Sequence, residues 1–113
     1  MGFDLVQELN QKINELNVSV KQLRVSGSAR AETERDYKIK LSQKVAELRA
    51  EGQPVTLVSL LVYGDKEVAE LRFKRDMADV VYQANQEAIN SAKLQMRLLE
   101  SQIQREWGKV INV

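Results

Sequence analysis

Leu9, Ile13, Leu16, Val20 and Leu23 recur at alternating steps of four and three, and Leu5 extends the series back by one turn. Apolar residues at that spacing line one side of an α-helix and form the seam of a coiled coil. The seam fades at Ser26-Gly27-Ser28 and along the charged run from Arg30 to Asp36. This predicts a break or kink at Gly27, with Ser26 or Ser28 capping a new helix. A helix that continues through Gly27 is the alternative. The pattern resumes at Tyr37, Leu41, Val45 and Leu48 and stops at Gly52-Gln53-Pro54, the strongest stop signal in the chain. Thr56 is then placed to cap a short apolar helix from Leu57 to Val62, which ends at Tyr63-Gly64, and Asp65 to cap a last helix reaching about Trp107. The predicted helices are therefore about 3–25, 29–51, 56–63 and 66–107. At ~1.5 Å per residue the last one is roughly 60 Å long, a rod that cannot cover its own apolar side.

On a helical wheel, Phe73, Met77, Val80, Val81, Ala84, Ala88 and Leu98 fall on one side of that helix's apolar arc. Ile89, Ala92, Met96, Leu99, Ile103 and Trp107 fall on the other. Together they span about half the circumference, wider than one partner helix needs. The N-terminal helices supply one neighbour, using the Phe73 side, and a second copy of the chain supplies the rest. The expected fold is thus all-α: a single domain over 1–113, built as a long antiparallel helical hairpin or coiled-coil bundle with a short helix at the turn. It is expected to assemble as a homo-oligomer through Ile89, Met96, Leu99, Ile103 and Trp107. Asn85, Gln95 and Gln102 interrupt the arc. Buried amides are costly unless paired, and their best-attested use is to set register.

Composition narrows the function classes. Hydrophobic residues make up 43% of the chain, aromatic ones 5%, and there is one proline, a balance typical of helices and coiled coils. With no cysteine there are no disulfides or thiolate metal sites, and with no histidine the commonest general base and metal ligand is missing. A net charge of +1, from 17 basic and 16 acidic residues, does not suit a duplex-DNA binder, which needs a basic excess to displace counterions. The longest apolar run, Val55 to Tyr63, is too short to span a bilayer, and Met-Gly-Phe-Asp-Leu does not open like a signal peptide. These features predict a cytoplasmic protein with no membrane partner.

Three kinds of catalytic site fail on the residues available. A di-metal carboxylate bundle needs histidine. A magnesium site of paired carboxylates has candidates in Glu67/Glu70 and Asp76/Asp79, but these lie on one helix, where Lys74, Arg72 and Arg75 stand four residues from a carboxylate each. A serine or threonine nucleophile has no base, and no glycine-rich phosphate loop is present. No enzyme activity, metal or cofactor is expected. Binding has better candidates. Lys93 and Arg97 share a helix face, and only Arg97 has a carboxylate in reach, at Glu100. Tolerating such a like-charged pair points to an anionic partner, although a solvated pair is the plainer reading. Arg72 and Arg75 add charge and Tyr82 a ring, so Lys93, Arg97, Arg72, Arg75 and Tyr82 form the candidate set for an anionic small molecule. Tyr82 also reads simply as the edge of the core.

Over its last two thirds the chain carries YKIKLSQKVAELRAEG, VYGDKEVAELRFKRD and YQANQEAINSAKLQMRLLESQIQREWG. These stretches resemble small helical proteins encoded by phages and prophages of Gram-positive bacteria. The resemblance implies a setting, the cytoplasm of an infected bacterium, and it carries over no site residues. In that setting, small non-enzymatic proteins commonly act by stoichiometric capture of a host component. The expected function is therefore capture or inhibition of a host defence protein, or sequestration of a nucleotide immune signal, by a helical oligomer. The alternatives are an accessory role in phage DNA replication or recombination, and a structural coiled-coil spacer.

Overall fold

The computed structural model describes the backbone of residues 2–111 and the side chains of residues 4–109. It contains three helices, α1 (Gly2–Ala50), α2 (Val55–Tyr63) and α3 (Lys66–Ile111), and no strand among the described residues. None of these helices is long and apolar enough to cross a membrane. The contacts group into two compact units. The terminal unit comprises Met1–Arg24 and Gln83–Val113, and the turn unit comprises Val25–Tyr82.

In the terminal unit α1 packs against α3. Leu5, Leu9, Lys12, Leu16, Ser19, Val20 and Leu23 form the partly buried line of α1, so of the expected seam only Ile13, 37% exposed, departs. The seam therefore keeps its three-four rhythm but passes through Lys12 and Ser19, where the aliphatic stem of a lysine covers apolar surface while its amine reaches Glu15 at 3.1 Å. On α3 the corresponding line is Asn85, Ile89, Ala92, Met96, Leu99 and Ile103, with Ile89 and Ala92 buried. The side-chain amide of Asn85 donates to the main-chain carbonyl of Gln22 at 3.3 Å, so this amide ties the two helices together. Gln95 and Gln102 are exposed and play no such part.

In the turn unit the core is Tyr37, Leu48, Val58, Val62 and Val68, with Leu41, Val45 and Leu71 packed against it. Here α1 and α3 run antiparallel: Arg30 meets Asp79, Glu34 meets Arg75, Lys40 meets Glu67 and Lys44 meets Asp65, one number falling as the other rises. The predicted seam from Tyr37 to Leu48 is the part of α1 that builds this core. Val68 is wholly buried, a burial worth about 1.5–3 kcal/mol relative to exposure.

The turns explain where the helices stop. Gly52 adopts φ +82, the left-handed conformation that glycine takes at little cost. Its N–H donates to Arg49 O and that of Gln53 to Leu48 O, which is the Schellman closure of α1. Pro54, with φ −58, then starts α2, and its carbonyl accepts from Leu57 and Val58. Thr56 thus lies inside the first turn and does not cap the helix; among the described residues no side chain caps α2, whose N-cap is Pro54, two residues earlier than expected. Asp65 does cap α3, accepting from the Val68 N–H at 3.1 Å.

Gly27 does not break α1, which continues for 49 residues. A glycine inside a helix costs about 1 kcal/mol relative to alanine, a penalty that packing along the rest of so long a helix outweighs. Ser26 is 5% exposed and Gly27 faces Tyr82, so these residues belong to a packed surface and not to a loop. The charged run after them is also helical, since Arg30 and Glu34 find their partners on α3. At the other end α3 continues past Trp107 to Ile111, through Gly108.

Candidate functional site

The side chains with binding chemistry in the turn unit are arranged as three arginine–ring pairs. The Arg75 guanidinium lies 4.4 Å from the centre of the buried Tyr37 ring, that of Arg30 4.8 Å from Tyr82, and that of Arg72 5.3 Å from Tyr63. A cation over a ring face is attracted by the ring's quadrupole, and each pair also shields apolar surface. Two of the three arginines are already held by carboxylates. Arg30 Nε reaches Asp79 Oδ1 at 2.8 Å, and Arg75 contacts Asp76 at 2.9 Å and Glu34 at 3.7 Å. Hydrogen bonding to Asp76 is the main cause that holds the Arg75 guanidinium above its ordinary pKa.

This arrangement differs from the four-apart pairs expected along α3 alone. Asp79 is bridged by Arg30 of α1, Glu67 by Lys40 and Asp65 by Lys44. Interhelical pairing was invisible in the sequence because it depends on which side of α3 faces α1. A cleft of 460 Å³ opens beside Gly27, Arg30, Glu34 and Tyr82, but its guanidinium is engaged with Asp79 and its wall includes a carboxylate. Such a lining repels a phosphate as much as it attracts one. Among the described residues no three carboxylates gather as a metal site.

The five candidate ligand residues are therefore not gathered in one described site. Arg72, Arg75 and Tyr82 belong to the turn unit, and Lys93 and Arg97 to the terminal unit. Arg75 is occupied by carboxylates, Tyr82 by Arg30 and Gly27, and Arg72 lies on Tyr63. Lys93 and Arg97 are exposed, and among the described residues neither has a carboxylate within ion-pair distance, Glu100 included.

Burial along α3 does not follow the division of its two sides that the sequence suggests. Ile89 is buried within the chain, Met96, Leu99 and Ile103 are half-buried against α1, and of the expected oligomer contacts Trp107 stands out at 60% exposure. The opposite side is the open one: Phe73 is 60%, Met77 47%, Val80 58% and Val81 49% exposed. Both sides carry similar apolar content, so a wheel cannot choose between them. The distinguishing signal is continuity, because stepping on from Phe73, Met77, Val80 and Ala84 reaches Glu87 and Ser91, whereas the Ile89 side continues unbroken to Ile103.

The turn unit also exposes apolar side chains. Helix α2 has no charged residue, yet only Val58 and Val62 are buried; Val55, Leu57, Leu60 and Leu61 are exposed, two of them above 70%. No family model, no curated protein and no solved structure matches the chain.

Proposed function

We propose that this chain is a non-enzymatic helical binding protein that works as a homo-oligomer. In the phage setting implied by its resemblance, it captures or inhibits a host component, and a host defence protein fits better than a nucleotide signal. The observation that carries this reading is α2. A helix with no charged residue and mostly aliphatic side chains belongs largely in an interior, yet Leu57, Leu60 and Leu61 meet solvent in the single chain. The exposed Phe73, Met77, Val80 and Val81 of the same unit add a second apolar surface. Clusters of this kind mark protein–protein contact. In this reading the assembly interface lies on α2 and on residues 73–81 of α3, and Ile89, Met96, Leu99 and Ile103 serve the fold of each chain.

A nucleotide reading asks for a free phosphate-binding cation next to a stacking ring. Arg30 and Arg75 sit beside rings but are held by carboxylates, Lys93 and Arg97 have no ring within their own stretch of helix, and Arg72 over Tyr63 offers one cation beside a ring against the several exposed apolar residues of the same unit. The test is purification of the protein from phage-infected cells, with mass spectrometry of whatever accompanies it. Recovery of one host protein at fixed stoichiometry is the expected result. A nucleotide recovered without any protein partner contradicts the preference stated above, and turnover of a substrate contradicts the non-enzymatic reading.

A further inference from the structure

The segment of α3 from Lys93 to Arg105 carries a surface that the core does not use. Lys93 and Arg97 are four residues apart, as are Leu94 and Leu98, and Arg105 lies eight beyond Arg97. Residues at these spacings share one side of a helix. All five are exposed, with Leu94 at 56% and Leu98 at 61%, and the three cations have no carboxylate within ion-pair distance among the described residues. Two leucines one turn apart, bordered by free cations, combine an apolar anchor with an uncompensated positive charge. Lys12, Arg30, Lys40, Lys44 and Arg75 are each matched to a carboxylate, whereas here three unmatched cations border two exposed leucines, with Glu100 the one carboxylate between Lys93 and Arg105.

We propose that this face is the docking surface for an acidic amphipathic helix of the captured protein, an inference that rests on the capture reading. Leu94 and Leu98 take the partner's apolar stripe, and Lys93, Arg97 and Arg105 take the carboxylates beside it. Charge complementarity selects this occupant. A second copy docked through this same face brings like charge and is repelled. A nucleic-acid strand needs rings on which its bases stack, and residues 93–105 contain none. An anionic membrane surface favours a broad apolar face, whereas here Ala92, Met96, Leu99 and Ile103 are turned into the core.

The test uses the full chain and two synthetic helical peptides with leucines four residues apart, one flanked by glutamates and its twin by lysines. Calorimetric titration should show that the glutamate peptide binds and the lysine twin does not, with affinity falling as salt is raised. Lys93→Glu with Arg97→Glu should weaken the glutamate peptide by about tenfold or more, as expected for two to three exposed ion pairs turned repulsive, and should allow the lysine twin to bind. Leu98→Asn should weaken both variants of this interaction, and unchanged circular dichroism confirms that the substitutions leave the fold intact. Binding of neither peptide, equal binding of both, or indifference to the double reversal overturns the proposal. So does binding of anionic phospholipid vesicles or an oligothymidylate in place of the peptide. The two readings fail separately: capture of a host protein that survives the double reversal removes this surface but keeps the capture, whereas peptide binding without any host partner keeps the surface and removes the capture.

Discussion

Tyr82 approaches α1 so closely that a Cβ added to Gly27 would lie 3.4 Å from its Cε2. That distance is ordinary van der Waals contact, so a methyl group fits and a larger side chain does not. Gly27→Ala should therefore stabilise the chain by about 0.5–1 kcal/mol through helix propensity. Gly27→Leu should destabilise it by displacing the Tyr82 ring and the Arg30 guanidinium stacked on it. Urea unfolding of the two variants checks both signs, and a destabilising alanine would show that the helix needs a kink here.

The start of α3 should respond to pH at both extremes. The Val68 N–H, first, and then Lys44 hold the Asp65 carboxyl below its ordinary pKa, against the opposing effect of desolvation. Its contribution is fully present above the unfolded carboxylate value, about 3.9, and is lost as pH falls through the lower folded value. Lys44 is held above its ordinary value by Asp65 first and Glu47 second, so its contribution is present below about 10.4 and is lost as pH rises through the folded value. Asp65→Asn keeps a capping oxygen but removes the titration. Its unfolding midpoint should vary less than that of wild type between pH 5 and pH 2, and identical acid profiles would contradict the assignment.

How much of this was legible in the sequence depended on whether the signal was local. The stop at Gly52-Gln53-Pro54, the Asp65 cap and the Tyr37–Leu48 seam rest on neighbouring residues and appear in the structure where the spacing placed them. Gly27 was misread because a glycine flanked by serines looks like a break, whereas its role is to let Tyr82 close in from a helix 55 positions away. Charge pairing on α3 was misassigned for the same reason: Arg30, Glu34, Lys40 and Lys44 are distant in sequence from the residues they meet. Lys93 and Arg97 stand out in the sequence for lacking local carboxylates, and among the described residues neither has one within ion-pair distance; Arg75, with Asp79 four residues away, is instead held by Asp76 and by Glu34 of α1.

Ile89 and Trp107 now separate two roles that the periodicity merged. Ile89→Ala should cost about 2–4 kcal/mol by opening a cavity within the chain, and should leave the size of the assembly unchanged. Trp107→Ala, at an exposed position, should cost less than about 0.5 kcal/mol. Unfolding curves combined with light scattering check the pair, and dissociation caused by Ile89→Ala without loss of chain stability would return that side of α3 to the interface.

In the proposed assembly the exposed apolar surface of the turn unit is covered by other copies of the chain. Leu60 is 72% and Val80 58% exposed in the single chain, so a charge at either position should leave each chain folded. In an assembly the same charge would be buried against apolar surface, at a cost of several kcal/mol. The deciding measurement is the molar mass of wild type, Leu60→Asp and Val80→Asp by light scattering at micromolar concentration, with circular dichroism alongside. A wild type that is a multiple of the chain mass, and helical variants that fall to the chain mass, is the predicted result. A wild type already monomeric, or variants that retain the full assembly, would contradict it.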